Sequence, residues 1–169
     1  MGLKPIRRRI WALRGRTPLV WERPRWWLYV YTFVRPSMGE NKHWLLPLMN
    51  TESLGVVLEA IARTRGAGRG EWVLVVLDRA GWHTSTRLRV PEGVGLVFSP
   101  PYSPELQPVE RAWSLVDAVV ASVDAVVVNG QVGTEEELWK RVEAQCAYLQ
   151  TQHDLIRSYT LFRWWPGGC

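Results

Sequence analysis

The spacing of hydrophobic positions changes along the chain, and each change marks an element. RRRIWAL (residues 7–13) and WWLYVYTFV (26–34) are rich in aromatic and β-branched residues and read as strands. The turn-like RPSMGEN separates the second from KHWLLPL (42–48), so the early part predicts antiparallel strands in a meander or hairpin. In TESLGVVLEAIARTRG (51–66), Leu54, Val57, Leu58 and Ile61 recur at helical spacing, with Gly66 just past the end. EWVLVVLD (71–78) is nearly continuously apolar and predicts a strand buried on both faces. GVGLVFSP (93–100) predicts a second, parallel one after GWHTSTRLRVPE. QPVERAWSLVDAVVASV (107–123) and TEEELWKRVEAQCAYLQTQHDLI (134–156) predict helices, the second opened by a capping box of Thr134 and Glu137. The tail LFRWWPGGC shows no clear element. A meander followed by strand–crossover–strand units predicts a mixed α/β sheet with helices on its faces.

At 169 residues and 47% hydrophobic content the chain suits one domain. The two cysteines, Cys146 and Cys169, form neither a metal-ligand spacing nor a disulfide framework, which fits a reducing cytoplasm. The basic opening lacks the apolar core of a secretory signal, and no apolar run reaches membrane-spanning length, so a soluble protein without a membrane role is expected. The net charge of +5 points to a polyanionic partner. Lys4, Arg7, Arg8, Arg9, Arg14 and Arg16 crowd around Trp11, as a phosphate-tracking surface would have them, or as a solvated terminus would. Most of the eleven tryptophans stand beside aliphatic residues and read as core.

Polar residues that interrupt the apolar pattern are the candidates for chemistry. Asp78 ends the apolar run VLVVLD, and open α/β sheets bind ligands beyond the carboxyl ends of their strands, although an aspartate there also starts a turn. Glu110 falls in the first turn of a helix opened by Pro108, where a carboxylate complements the helix dipole. The dipole does not account for the stiff PPYSP before it. Pro100, Pro101 and Pro104 each fix φ and lower the entropy of ordering the loop, which aims the helix start reproducibly. If the two apolar strands pair, Glu110 folds back toward Asp78. Two neighbouring carboxylates repel unless a divalent cation lies between them, and hard cations such as Mg²⁺ take oxygen ligands. His83, in GWHTS, either reaches a scissile phosphate or packs beneath its loop. Trp113 reads as core support for the helix, and Asp117 and Asp124 as solvated charges.

VLDRAGWHTS followed by PPYSPELQPVERAW resembles the two C-terminal signature blocks of the DDE transposases of bacterial insertion sequences related to mariner-type elements. The likeness runs through RRRIWALRGRTP and LLPLMNTESL and covers most of the chain. It implies a ribonuclease-H-like fold and makes Asp78 and Glu110 the second and third acidic residues of a catalytic triad that uses Mg²⁺ or Mn²⁺ to cut transposon ends and join them to target DNA. Gln107 stands where the family usually has Asn, and Arg79 where a small or amide residue is common. The family's first Asp lies just before the segment resembling GLKPIRRRIWALRG, where this chain has Met1. The resemblance therefore implies an N-terminally truncated, partial catalytic domain over residues 1–169, without the first central strand or the preceding helix-turn-helix. Glu22 and Glu40, the upstream carboxylates, match no family motif and read as exposed turn residues.

Two functions follow. One is a transposase fragment, inactive alone, that acts when an upstream transposase fragment or the full-length enzyme supplies the missing Asp. The other is a non-catalytic basic remnant that binds DNA or takes part in transposase assembly, including with copies of itself. In either case Arg7, Arg8, Arg9, Arg14, Arg16 and His83 are the expected DNA contacts.

Overall fold

A computed structural model describes residues 14–15, 28–117 and 134–165. The expected strand 7–13 lies outside the described residues, as do Arg7, Arg8, Arg9, Arg16, Glu22 and Asp124. Arg14 sits in an exposed turn.

The architecture is mixed α/β. Strands β1 (Tyr29–Arg35) and β2 (Glu40–Leu46) form an antiparallel hairpin in which Tyr31 faces Trp44 and Arg35 faces Glu40. Its tip turns on Gly39 at φ 65°, where a Cβ would run into the backbone carbonyl of His153, so the hairpin docks closely on the C-terminal helices. Glu40, expected to be an exposed turn residue, is instead ion-paired with Arg65 at 2.7 Å and Arg35 at 3.6 Å, and these guanidiniums lower its pKa.

Helix α1 (Thr51–Arg65) starts at Asn50, whose side chain accepts from the Ser53 amide at 2.7 Å, and ends at Gly66 in the left-handed region at φ 69°. Strands β3 (Val73–Leu77) and β4 (Val94–Phe98) run parallel in the register Val75↔Leu96 and Leu77↔Phe98. Among the described residues the four strands make two separate two-stranded sheets, and β1 and β3 each keep one edge without a strand partner.

One apolar cluster joins the pairs through α1: Tyr31 from β1, Leu54, Val57, Leu58 and Ile61 from the helix, and Val75, Leu77 and Val94 from β3 and β4. Phe33 and Trp44 pack edge to face against it. A second cluster covers the other face of the hairpin. There Leu28 and Val30 meet Val116 of helix α2, described over 108–117, together with Leu138, Val142, Cys146 and Leu149 of α3 (Glu135–Thr151) and Ile156 of α4 (His153–Thr160). Trp113 packs against this cluster, in line with its expected core role.

Two expectations need correction. Strand β3 is not buried on both faces: Val75 and Leu77 point to α1, whereas Leu74 (70% exposed) and Val76 (39%) point outward, because no described element covers that side. The helix expected over 134–156 is broken at Gln152 (φ −99°, ψ 59°). The Leu149 carbonyl accepts from the Gln152 amide at 3.0 Å and from Asn41 Nδ2 of β2 at 2.8 Å, so it does not continue the helical ladder. The capping box is half formed: Thr134 Oγ1 accepts from the Glu137 amide, while the Glu137 carboxylate turns to Arg141. Among the described residues, no helix is long and apolar enough to cross a membrane.

Candidate active site

The two parallel strands end side by side, and the chemistry-bearing residues leave from those ends. Asp78 follows Leu77 directly, on the loop that crosses from β3 to β4. Its Oδ1 accepts from the Ala80 amide at 3.0 Å, the Asx turn expected of an aspartate at this place. The same oxygen accepts from His83 Nδ1 at 2.6 Å. The Asp78 side chain is 57% exposed and that of His83 only 14%. His83 therefore packs beneath its loop, Trp82 lying edge to face against its ring. Thr51 Oγ1 donates to the Trp82 carbonyl at 3.3 Å, tying this loop to the start of α1.

The answering element leaves β4 at Ser99. This buried serine is the junction of the site. Its amide and hydroxyl both donate to the Leu77 carbonyl at the end of β3, at 2.9 and 3.3 Å. Its hydroxyl also accepts from the buried Gln107 Nε2 at 3.2 Å, and its carbonyl from Arg79 Nε at 3.3 Å. Both ends of the proline-rich loop are thus fixed to the last residue of β3. Gln107, standing where the resemblance leads one to expect Asn, does not cap α2 with its side chain; it closes the loop.

Between these anchors Pro100, Pro101 and Pro104 leave little backbone freedom, and Pro104–Leu106 form a 3₁₀ turn. Tyr102, at φ 56°, is the one described non-glycine residue with positive φ, a conformation costing about 1 kcal/mol. Helix α2 begins at Pro108, and Glu110 lies exposed in its first turn. Arg111, stacked 4.2 Å over the Phe162 ring, and Gln145 Nε2, donating to the Leu115 carbonyl at 3.0 Å, hold the helix from its far side.

Asp78 and Glu110 line one cleft of about 400 Å³, with Arg79, Ser99, Tyr102 and Gln107 in its walls. The two candidate carboxylates therefore share a cavity, and His83 reaches it through Asp78. Arg79 forms no ion pair with either carboxylate among the described contacts. No three His, Cys, Asp or Glu side chains among the described residues converge to hold a metal ion. The Ser99–Gln107 junction was missed in the sequence. Its one signal was an amide side chain placed between prolines that leave it few backbone partners.

A family model for the DDE superfamily endonucleases matches residues 1–125. The chain belongs to that family. The uncharacterized protein y4pE/y4sA of Sinorhizobium fredii is 38% identical to the chain over 90 residues, which cover 53% of this chain and 65% of that protein. The matched stretch thus spans less than two thirds of that relative. No solved structure matches the chain. Hard divalent cations take carboxylate oxygens, the donor type that Asp78 and Glu110 bring to the cleft.

Proposed function

We propose that this chain is a partial catalytic domain, residues 1–169, of a mariner-related bacterial insertion-sequence transposase with a ribonuclease-H-like fold. It works in the cytoplasm on transposon ends and target DNA. The observation that carries the reading is the common cleft of Asp78 and Glu110. Both are oxygen donors of the kind Mg²⁺ and Mn²⁺ prefer, and the proline loop holds the second in fixed relation to the first. Metal ions held there would supply charge stabilisation for both the attacking and the leaving oxygen of an in-line displacement.

The chain's own residues do the positioning. His83 and the Ala80 amide hold one oxygen of Asp78 and leave the other without a hydrogen-bond partner among the described residues. The Ser99–Gln107 bond keeps the start of α2, and so Glu110, beside it. Arg79, anchored through Nε, presents its remaining guanidinium donors to a phosphodiester, and Arg7, Arg8, Arg9, Arg14 and Arg16 add sequence-independent attraction.

Two carboxylates do not hold two ions, so this reading takes a third from a further strand, supplied by an upstream fragment or a full-length transposase; among the described residues β1 and β3 each keep one edge on which such a strand can pair. The second reading, a non-catalytic module for DNA binding or assembly, is favoured by the same count of two carboxylates in the cleft.

Nicking of supercoiled plasmid in Mn²⁺ separates the two. The comparison is between the chain, the chain extended upstream by one Asp-bearing strand, and the extended chain carrying Asp78→Asn. Nicking by the extended chain alone supports the transposase reading. An inactive extended chain that binds DNA supports the module. Nicking by the unextended chain that disappears with Asp78→Asn refutes the need for an added strand and makes Glu22 the residue to test, since Glu40 is already committed to Arg35 and Arg65.

A further inference from the structure

Tyr102 stands out at the mouth of the cleft. Its ring is fully exposed, at 101% relative accessibility, more than any other large hydrophobic side chain among the described residues. Its backbone is held in the left-handed region that aromatic residues avoid, with Pro101 before it and the Ser103 hydroxyl donating to the Pro101 carbonyl at 3.2 Å. The ring packs on nothing, so the strain is not repaid by burial in the chain itself. Both flanks of the loop are tied down through Ser99 and Gln107, so Tyr102 is held in the wall of the cleft that Asp78 and Glu110 also line.

We propose that Tyr102 is the stacking platform for one unpaired base of the DNA strand whose phosphodiester enters the cleft. This rests on the reading of the cleft as the DNA-cutting site and adds to it a substrate feature: an unstacked nucleotide beside the scissile bond. A nucleotide matches the wall as it stands, a π-face for the exposed ring and a phosphate for the guanidinium of Arg79 in the same cleft. A stacked base inside a duplex offers no free face to Tyr102, so the strand is engaged where it is frayed, bulged or overhanging. The ordering cost of such a platform is small because the prolines have already fixed the loop.

The test needs no catalysis and uses the full chain. Fluorescence anisotropy compares a labelled duplex bearing a short single-stranded overhang with the same duplex whose overhang nucleotides are abasic, so both carry the same phosphates. The chain is expected to prefer the base-containing overhang by about 10-fold, the scale of one base–aromatic stack. Tyr102→Ala should erase that preference by weakening only the base-containing ligand, with the salt dependence of binding unchanged; Tyr102→Trp should keep it. Tyr102→Asn, which suits the left-handed backbone without an aromatic ring, should behave as Tyr102→Ala and shows that the loss is not one of loop structure. Equal binding of the two duplexes by the unaltered chain, or a preference that survives Tyr102→Ala and Tyr102→Asn, overturns the platform and leaves the carboxylate site standing. Failure to bind either duplex at low salt overturns the DNA-site reading and the platform with it.

Discussion

The hairpin β1–β2, whose second strand carries Glu40, Asn41, Lys42 and His43, and the nearly all-apolar parallel pair β3–β4 are treated differently by the fold. The hairpin is covered on both faces, by α1 on one side and by α2, α3 and α4 on the other. Among the described residues the parallel pair is covered by α1, and on its outer face Trp72, Leu74, Val76 and Val97 lie open. The hairpin carries none of the candidate chemistry, whereas both carboxylates hang from the carboxyl ends of the parallel pair. Packing on both sides makes the first a foundation. Packing on one side leaves the second answering to its end loops, where the Ser99 junction does the fixing that a second helical layer does elsewhere.

The largest expected effect separates the two faces of the parallel pair. Leu58→Ala in the shared core under α1, where Leu58 is fully buried, should cost about 3 kcal/mol in urea unfolding. Leu74→Ala on the outer face should cost less than about 0.5 kcal/mol. A comparable loss at both positions would mean that the outer face is covered in solution, and the contrast between the pairs would fall.

A smaller effect belongs to the hairpin alone. His43 on β2 contacts Thr32 Oγ1 at 2.8 Å and Asn41 Oδ1 at 2.6 Å, and burial, with Lys42 adding to it, lowers its pKa from 6.5 to about 4. The folded ring stays neutral where the unfolded one takes up a proton. The stability it contributes is therefore complete above pH 6.5 and is lost as pH falls through about 4. Unfolding free energies measured across that window should decline toward acid, and His43→Gln should flatten the decline. An unchanged slope in the variant would assign the acid sensitivity elsewhere.

The smallest effect sharpens the role of the junction. Gln107→Ala removes the donor to Ser99 Oγ and should cost roughly 1 kcal/mol, with a loss of affinity for the abasic-overhang duplex that Tyr102→Ala does not show. If Gln107→Ala leaves both stability and binding unchanged, the prolines alone place Glu110.

Much of this was legible in advance because it depends on local pattern. The helical spacing of Leu54, Val57, Leu58 and Ile61, the Gly66 stop and the Thr134 cap are written in neighbouring residues, and each appears where the pattern puts it. Asp78 and Glu110 could be brought together in sequence because one follows a strand and the other a proline-stiffened loop. What stayed hidden depends on partners far away. The continuous apolar run of β3 cannot say which of its faces is covered. The break at Gln152 follows from an asparagine side chain reaching Leu149 across the fold, and no window around Gln152 contains it. Glu40 looked like a turn residue until α1 brought Arg65 to it.

That reach of Asn41 to Leu149 bridges 108 residues of chain, and Lys42 Nζ to Gln150 bridges the same separation. The bonds that shape the cleft span far less: 8 residues from Gln107 to Ser99, 22 from Ser99 to Leu77. Closing a long loop costs more entropy before any contact rewards it, so contacts near in sequence have the kinetic advantage. The Ser99 junction therefore closes at a lower entropic cost than the docking of the C-terminal helices onto the hairpin, where Gly39 is pressed against His153.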